Sequence, residues 1–344
     1  MRVMPVTHVV LLLALAAALP SCGAPSASPV VASNRGAREG APSSPKTSAP
    51  RCLSIAAWND MHGQLAPDEV QVDATRVPAG GVVAMADQIA ELRETGDAVV
   101  TLDAGDLFTG PLDSTLAEGA PIIDAYDVMG VDAVAIGNHE FDFGPVGYAR
   151  VIAPPGVGDE AGESGPRGAL FARMEAARFP FLSANLQRSD GRALGWPSSP
   201  GAPGVHASTR IARAGFDVGV VGYTTIDTPL TTLKPNVIGL DFKTLAAARV
   251  AAEVHALRAA GAAPVVLLAH ASLDGELPQR MDDPLDPEGS RRVGEIASLL
   301  DAMPASDRPD VIVAGHRHAW MLGRVRGVPI VSSDQHGVGL ARIR

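Results

Sequence analysis

The stretch DAVAIGNHEFDFG, Asp132 to Gly144, decides the fold. An apolar run of strand length ends at Gly137 and opens at once onto an amide, an imidazole and two carboxylates: Asn138, His139, Glu140 and Asp142. A single junction of this kind shows only a strand entering a loop. Repeated along a chain, it is the pattern of a layered α/β domain, in which buried strands deliver polar loops to one edge of a sheet. Here it is repeated. LSIAAW (Leu53 to Trp58), AVVTLDAG (Ala98 to Gly105), PFLSAN (Pro180 to Asn185), DVGVVGYT (Asp217 to Thr224), PVVLLAH (Pro264 to His270), DVIVAGH (Asp310 to His316) and PIVSSD (Pro329 to Asp334) read as further buried strands. Val82 to Glu94, Pro121 to Met129, Thr244 to Ala260 and Arg291 to Met303 read as the helices between them. Pro154 to Gly168 and Asp190 to Ser208 are rich in Gly, Pro and Ser and read as excursions from the core. The chain carries no internal repeat.

Composition sets the frame. With 344 residues, 46% of them hydrophobic, the chain is large enough to bury a sizeable core. A formal net charge of -10 leaves no general basic surface and excludes binding to a nucleic-acid polymer through its phosphates. At the N-terminus, Arg2 and the apolar run from Val9 to Leu19 read as an export signal over residues 1–21. LPSC, Leu19 to Cys22, resembles a bacterial lipobox, which implies that Cys22 is the lipidated first residue of a mature, extracytoplasmic lipoprotein, periplasmic or at the cell surface; Pro20, not the commonest residue there, leaves ordinary signal-peptidase cleavage open. Cys52 would then have no partner, since the chain has two cysteines. Residues 22–50, mostly Ala, Pro, Ser and Gly, read as a tether that cannot bury enough apolar surface to order itself. Residues 51–344 form the globular domain.

Polar residues collect where the strands end. NDMHG (Asn59 to Gly63) follows the first strand, GDLFTG (Gly105 to Gly110) the second and GNHEFDFG the third; AHAS (Ala269 to Ser272) and GHRH (Gly315 to His318) close two later ones. Of nine histidines, five (His62, His139, His270, His316 and His318) fall in these positions. A buried, hydrogen-bonded structural histidine accounts for any one of them. Five of them with three aspartates would demand many costly buried polar groups converging by chance. Carboxylate, imidazole and amide donors without thiolates suit manganese, zinc, iron or cobalt rather than a structural zinc knot. His336, in DQHG, reads as a loop residue.

These five blocks, in this order, resemble the calcineurin-like metallophosphoesterases, in particular the 5′-nucleotidase branch, over Leu53 to the C-terminus. The resemblance implies a four-layer α-β-β-α sandwich and two divalent metal ions. Carried over by position, Asp60, His62 and His318 would hold one metal and Asn138, His270 and His316 the other, with Asp106 shared. His139 would face the substrate, paired with Asp142, which favours its protonated form. The implied reaction is hydrolysis of a phosphate ester by in-line attack of a hydroxide made by the metals, with His139 stabilising the transition state or protonating the departing alkoxide. Glu140 reads as a hydrogen-bonding residue behind the site, Phe141 and Phe143 as packing, and Asp103 as a structural or orienting acid. Gly80 and Gly81 read as a tight turn, Trp58 and Trp320 as core or rim packing, and Asn185 stays outside the catalytic set.

The 5′-nucleotidases carry a second, C-terminal domain that clamps the nucleotide; here the resemblance covers the metal domain alone, and the clamp domain is expected to be absent. The resemblance therefore implies phosphoester hydrolysis more firmly than nucleotide specificity: nucleoside monophosphates or cyclic nucleotides are the expected small substrates, sugar phosphates and simple monoesters stay open, and a separate subunit could supply specificity. The rival expectations are a membrane-tethered metal- or nucleotide-binding protein without turnover, or an enzyme of the related thiosulfohydrolase branch.

Overall fold

The computed structural model describes residues 11–13, 52–72, 74–147, 165–190, 204–244, 246–273 and 293–344. The export signal, apart from three residues, and the tether lie outside these, as do most of the two excursions. Two large sheets dominate. The first has seven strands in the order Leu11–Leu13, Ala341–Ile343, Leu53–Trp58, Ala98–Asp103, Ala133–Ala135, Phe181–Leu182, Val205–His206. From Leu53–Trp58 onward its strands run parallel, and Ala341–Ile343 is antiparallel to Leu53–Trp58. Leu11–Leu13, from the apolar N-terminal run, pairs in parallel with Ala341–Ile343.

The second sheet has six strands, in the order Ser208–Arg213, Phe216–Thr224, Val265–His270, Val311–Ala314, Val328–Ser333, Trp320–Val325. Its four central strands are parallel, with an antiparallel strand on each edge.

Side-chain alternation along each strand assigns the layers. Ile55, Ala57, Val100, Leu102, Ala133 and Ala135 point from the first sheet onto Val218, Val220, Val266, Leu268, Val311 and Val313 of the second, forming the core between the sheets. Their neighbours Ala56, Trp58, Val99 and Val134 face the other way, onto Met85, Ile89, Ile122, Tyr126 and Leu170. Those residues lie on the helices Gly81–Glu94, Ala120–Met129 and Gly168–Ala176. Val221, Val265, Leu267, Ala269, Ile312 and Ala314 face Val250, Val254, Leu257, Ile296 and Leu300 on the helices Ala246–Ala259 and Glu295–Asp301. Because a strand offers alternate residues to opposite faces, strands apolar throughout must be covered on both sides. Three cores between four layers, α-β-β-α, satisfy that demand, and the expected fold class is the one observed.

All eight strands and four helices read from the sequence are present, with most bounds shifted by one to a few residues; PFLSAN keeps only Phe181–Leu182, and residues 291–292 lie outside the described set. The sequence reading missed the hairpin Asp68–Val72 and Thr75–Ala79, the edge strands Ser208–Arg213 and Trp320–Val325, the strand Ala341–Ile343 and the helix Gly168–Ala176. Cys52, buried ahead of the first strand, is disulfide-bonded, which corrects the expectation that it stands alone. No helix among the described residues is long and apolar enough to cross a membrane.

Candidate metal centre

The carboxyl ends of strands from both sheets meet at one edge, and the strand-end motifs meet with them. Asp60, His62 and His318 bring one donor atom each within 4.8 Å of one another, and Asp106, His270 and His316 do the same. His62, Asp106 and His139 form a third such group that links the other two. Asn138 joins through its amide oxygen, 3.2 Å from His270 Nε2, while its Nδ2 donates to the Thr231 carbonyl at 3.1 Å. The structure thus gathers every residue expected at the site.

The backbone is bent to achieve this. Asp60, His62, Asp106, His316 and His318 all have positive φ, between 44° and 77°. Such conformations cost roughly 1–3 kcal/mol each outside glycine and persist only where the surroundings hold them. The hold is visible. Asp60 N donates to the Gly105 carbonyl and His62 N to that of Asp106, both at 2.9 Å, zipping the first two loops together. Asp60 accepts the His316 backbone N–H at 2.9 Å, which ties the two sheets together. Asn59 anchors the turn from behind: its Oδ1 accepts Ser333 N at 2.8 Å and its Nδ2 donates to Asp60 Oδ2 at 2.6 Å. At Gly137, a β-carbon would lie 2.1 Å from Asp106 Oδ1, so that position admits glycine alone.

The donor set fits cations. His62 Nδ1 faces the Thr109 carbonyl at 3.0 Å and His270 Nδ1 that of Ala104 at 2.9 Å. A carbonyl only accepts, so each Nδ1 carries the proton and each Nε2 presents a lone pair to the centre. There His62 Nε2 lies 2.9 Å from His318 Nε2, and His270 Nε2 lies 2.9 Å from Asp106 Oδ2. Acceptors facing acceptors in a buried cluster repel one another unless positive charge sits between them. Burial lowers the pKa of His62 despite Asp106 and Asp60 beside it, which suits a neutral ligand.

Beside this cluster, His139 Nδ1 lies 2.5 Å from Asp142 Oδ2, and Asp142 Oδ1 accepts the Thr232 hydroxyl at 2.8 Å. The His139 backbone N–H donates to Asp106 Oδ1 at 2.8 Å. Burial works against protonation of this imidazole, but the bond to Asp142 and the charge of Asp106 outweigh it and raise the pKa to about 9. Glu140 is fully buried, and its carboxylate accepts the backbone N–H groups of Asp106, Leu107, Phe108 and Gly137, at 3.0, 2.6, 3.3 and 2.6 Å. It fastens the loop carrying Asp106 to the loop carrying Asn138. Burial, reinforced by Asp106, pushes its pKa up to about 7.

The remaining expectations divide. Asp103 is structural: it accepts Gly105 N at 2.9 Å and the Tyr126 hydroxyl, which itself accepts Trp58 Nε1 at 2.8 Å. Asn185 spends its amide on the Thr224 and Phe242 backbones and stays out of the cluster. Phe141 packs on Phe242 and Phe143 on Phe108. Gly80 and Gly81, both at φ 77°, turn beneath the His336 carbonyl, which Gly81 N meets at 2.8 Å. His336 is more than the loop residue expected. Its ring lies 5.9 Å from that of His62, its Nδ1 lies 2.7 Å from Asp68 Oδ2, and its backbone N–H donates to the Asp60 carbonyl. Its place directly after the strand PIVSSD was the available signal. Thr232 carried none, being 90 residues from Asp142.

No family model matches the chain. Among curated proteins, the 5′-nucleotidase of Rattus norvegicus is 29% identical over 183 residues, which are 52% of this chain and 27% of that protein. The chain thus spans about a quarter of the curated relatives it matches. Among solved structures, a 5′-nucleotidase precursor from Thermus thermophilus superposes with a TM-score of 0.59 at 22% identity, covering 83% of this chain and 49% of that one. A calcineurin-like phosphoesterase from Bacillus subtilis superposes with a TM-score of 0.56 at 18% identity, covering 83% and 82%. The two structures share the fold; the curated relatives add the sequence. Motif order, layer order and these likenesses agree: half of the chain is similar in sequence to 5′-nucleotidases, and its fold is shared with a 5′-nucleotidase precursor and a calcineurin-like phosphoesterase.

Proposed function

We propose that the chain hydrolyses phosphate monoesters, nucleoside monophosphates among them, at a centre of two divalent cations. One observation carries this reading: two donor groups, Asp60/His62/His318 and Asp106/His270/His316, stand side by side with the His139–Asp142 pair next to both. Asp60, His62 and His318 would hold one cation, and Asn138, His270 and His316 the other, with Asp106 between them. Divalent cations in such a donor set act as Lewis acids on water and on phosphoryl oxygens.

The chain's own groups supply the rest. The His139 side chain is 32% exposed, open to a substrate, and Asp142 fixes its Nδ1, which leaves Nε2 to carry a proton towards the departing ester oxygen. Thr232 fixes Asp142 in turn. Glu140 and Asn59 take no part in the chemistry and hold the loops. The names of the rat and Thermus relatives support nucleotides as the substrate class.

Purified full-length protein, reconstituted with manganese and assayed against p-nitrophenyl phosphate, its bis-ester and AMP, tests the reading. Monoester turnover abolished by chelator supports it; metal binding without hydrolysis of any ester would make this a binding protein instead. We also propose an extracytoplasmic location. The disulfide at Cys52 fits an oxidising compartment. Intact mass of the mature N-terminus distinguishes a lipid-anchored protein from one without an anchor.

A further inference from the structure

A cavity of about 500 Å³ opens beside the metal centre, lined by Thr109, Asp142 and Phe143 on one side and Leu230 to Leu233 on the other. Three of its residues also hold the site. The Thr109 carbonyl faces His62, the Asp142 carboxylate faces His139, and the Thr231 carbonyl accepts the Asn138 amide. The cavity is therefore continuous with the reacting edge, on the side of the proton-carrying imidazole. Its walls are unusual for a surface. Leu230 is 82% exposed and Leu233 55%, apolar area left in water at a cost of about 25 cal/mol per Å². The Thr109 hydroxyl is buried with no hydrogen-bond partner among the described residues, a polar group still waiting for one. Among the described residues no cationic side chain lines the cavity, and both oxygens of the acid Asp142 are engaged by His139 and Thr232.

We propose that this cavity receives the leaving group of the ester and favours an uncharged leaving group with an alkyl or aryl body over a small one or one bearing further phosphates. The proposal rests on the phosphoesterase reading above. Apolar walls gain from covering a hydrocarbon chain, and the described lining offers no cationic side chain to meet a further phosphate on the leaving group. The volume suits a group of drug size.

Hexyl and methyl phosphate, whose alcohols leave with similar intrinsic ease, separate recognition from reactivity. With the manganese-loaded full chain, kcat/KM is expected to favour the hexyl ester at least tenfold, and the double variant Leu230→Ser/Leu233→Ser is expected to lower that ratio at least tenfold. Independently of turnover, line broadening of 1-hexanol in ligand-observed NMR is expected with the metal-free wild type and lost in the variant. A ratio near one in the wild type, a ratio unmoved by the variant, or an altered oligomeric state in its place would overturn the proposal. If the wild type hydrolyses no ester while 1-hexanol still binds, the phosphoesterase reading fails and the cavity remains.

Discussion

At the scale of single residues, the proposed chemistry rests on His139, an imidazole assigned to neither metal. His139 has Nδ1 held by Asp142 and its backbone N–H on Asp106, so its position survives truncation of the ring. His139→Ala is therefore expected to keep both metals by elemental analysis while losing about 10²–10⁴-fold in kcat. Loss of metal would make His139 a ligand. Thr232→Val removes one bond to Asp142 and is expected to lower kcat several-fold with KM and metal content unchanged. Most of the site was legible because ligands must be His, Asp or Asn and must sit at strand ends, so type and place could be read together. Thr232 and His336 escaped for opposite reasons. A threonine in a loop has no distinguishing chemistry in a sequence, whereas His336 looked like its neighbours until Asp68, from the hairpin, was seen to hold it.

At the scale of elements, loops are held by buried acids. Glu140 accepts four backbone N–H groups from two loops, and removing it leaves donors unpaired at about 1–3 kcal/mol each. Glu140→Ala is expected to destabilise the metal-free chain by about 3 kcal/mol or more in urea unfolding, and to weaken metal binding by about 10–100-fold. An unchanged urea midpoint would contradict the role assigned to it.

Away from the site, Asp97 pins the last strand. It accepts Ser54 Oγ, Arg342 Nη2 and Arg344 Nε, at 2.9, 2.9 and 3.0 Å. Burial alone would raise its pKa; the bonds from Arg344 and Ser54 outweigh that and bring it below 3.8. A carboxylate with a depressed folded-state pKa contributes stability in full above its unfolded value and loses it as pH falls through the folded one. The urea midpoint should therefore fall more steeply below about pH 4 in the wild type than in Asp97→Asn. Central strands were legible because both faces are buried and the run is apolar throughout. The edge strand Ser208–Arg213, half in water, carries STRIAR and leaves no such run.

At the scale of the whole molecule, the site is a seam. Asp60, Asp106 and Asn138 follow strands of the first sheet, while His270, His316 and His318 follow strands of the second. Cations bound by both should stabilise the folded chain as a unit. At a free metal concentration a hundredfold above Kd the gain is about 2.7 kcal/mol, which for a domain of this size raises Tm by roughly 5–10 °C. Chelation should reverse it, as scanning calorimetry would show. The measurement closest to the central claim is a manganese titration of the metal-free protein, following heat and p-nitrophenyl phosphate turnover together. Two equivalents bound per chain, with turnover reaching its plateau only as the second is filled, is the expected result; turnover without metal, or saturation with no ion bound, would contradict it.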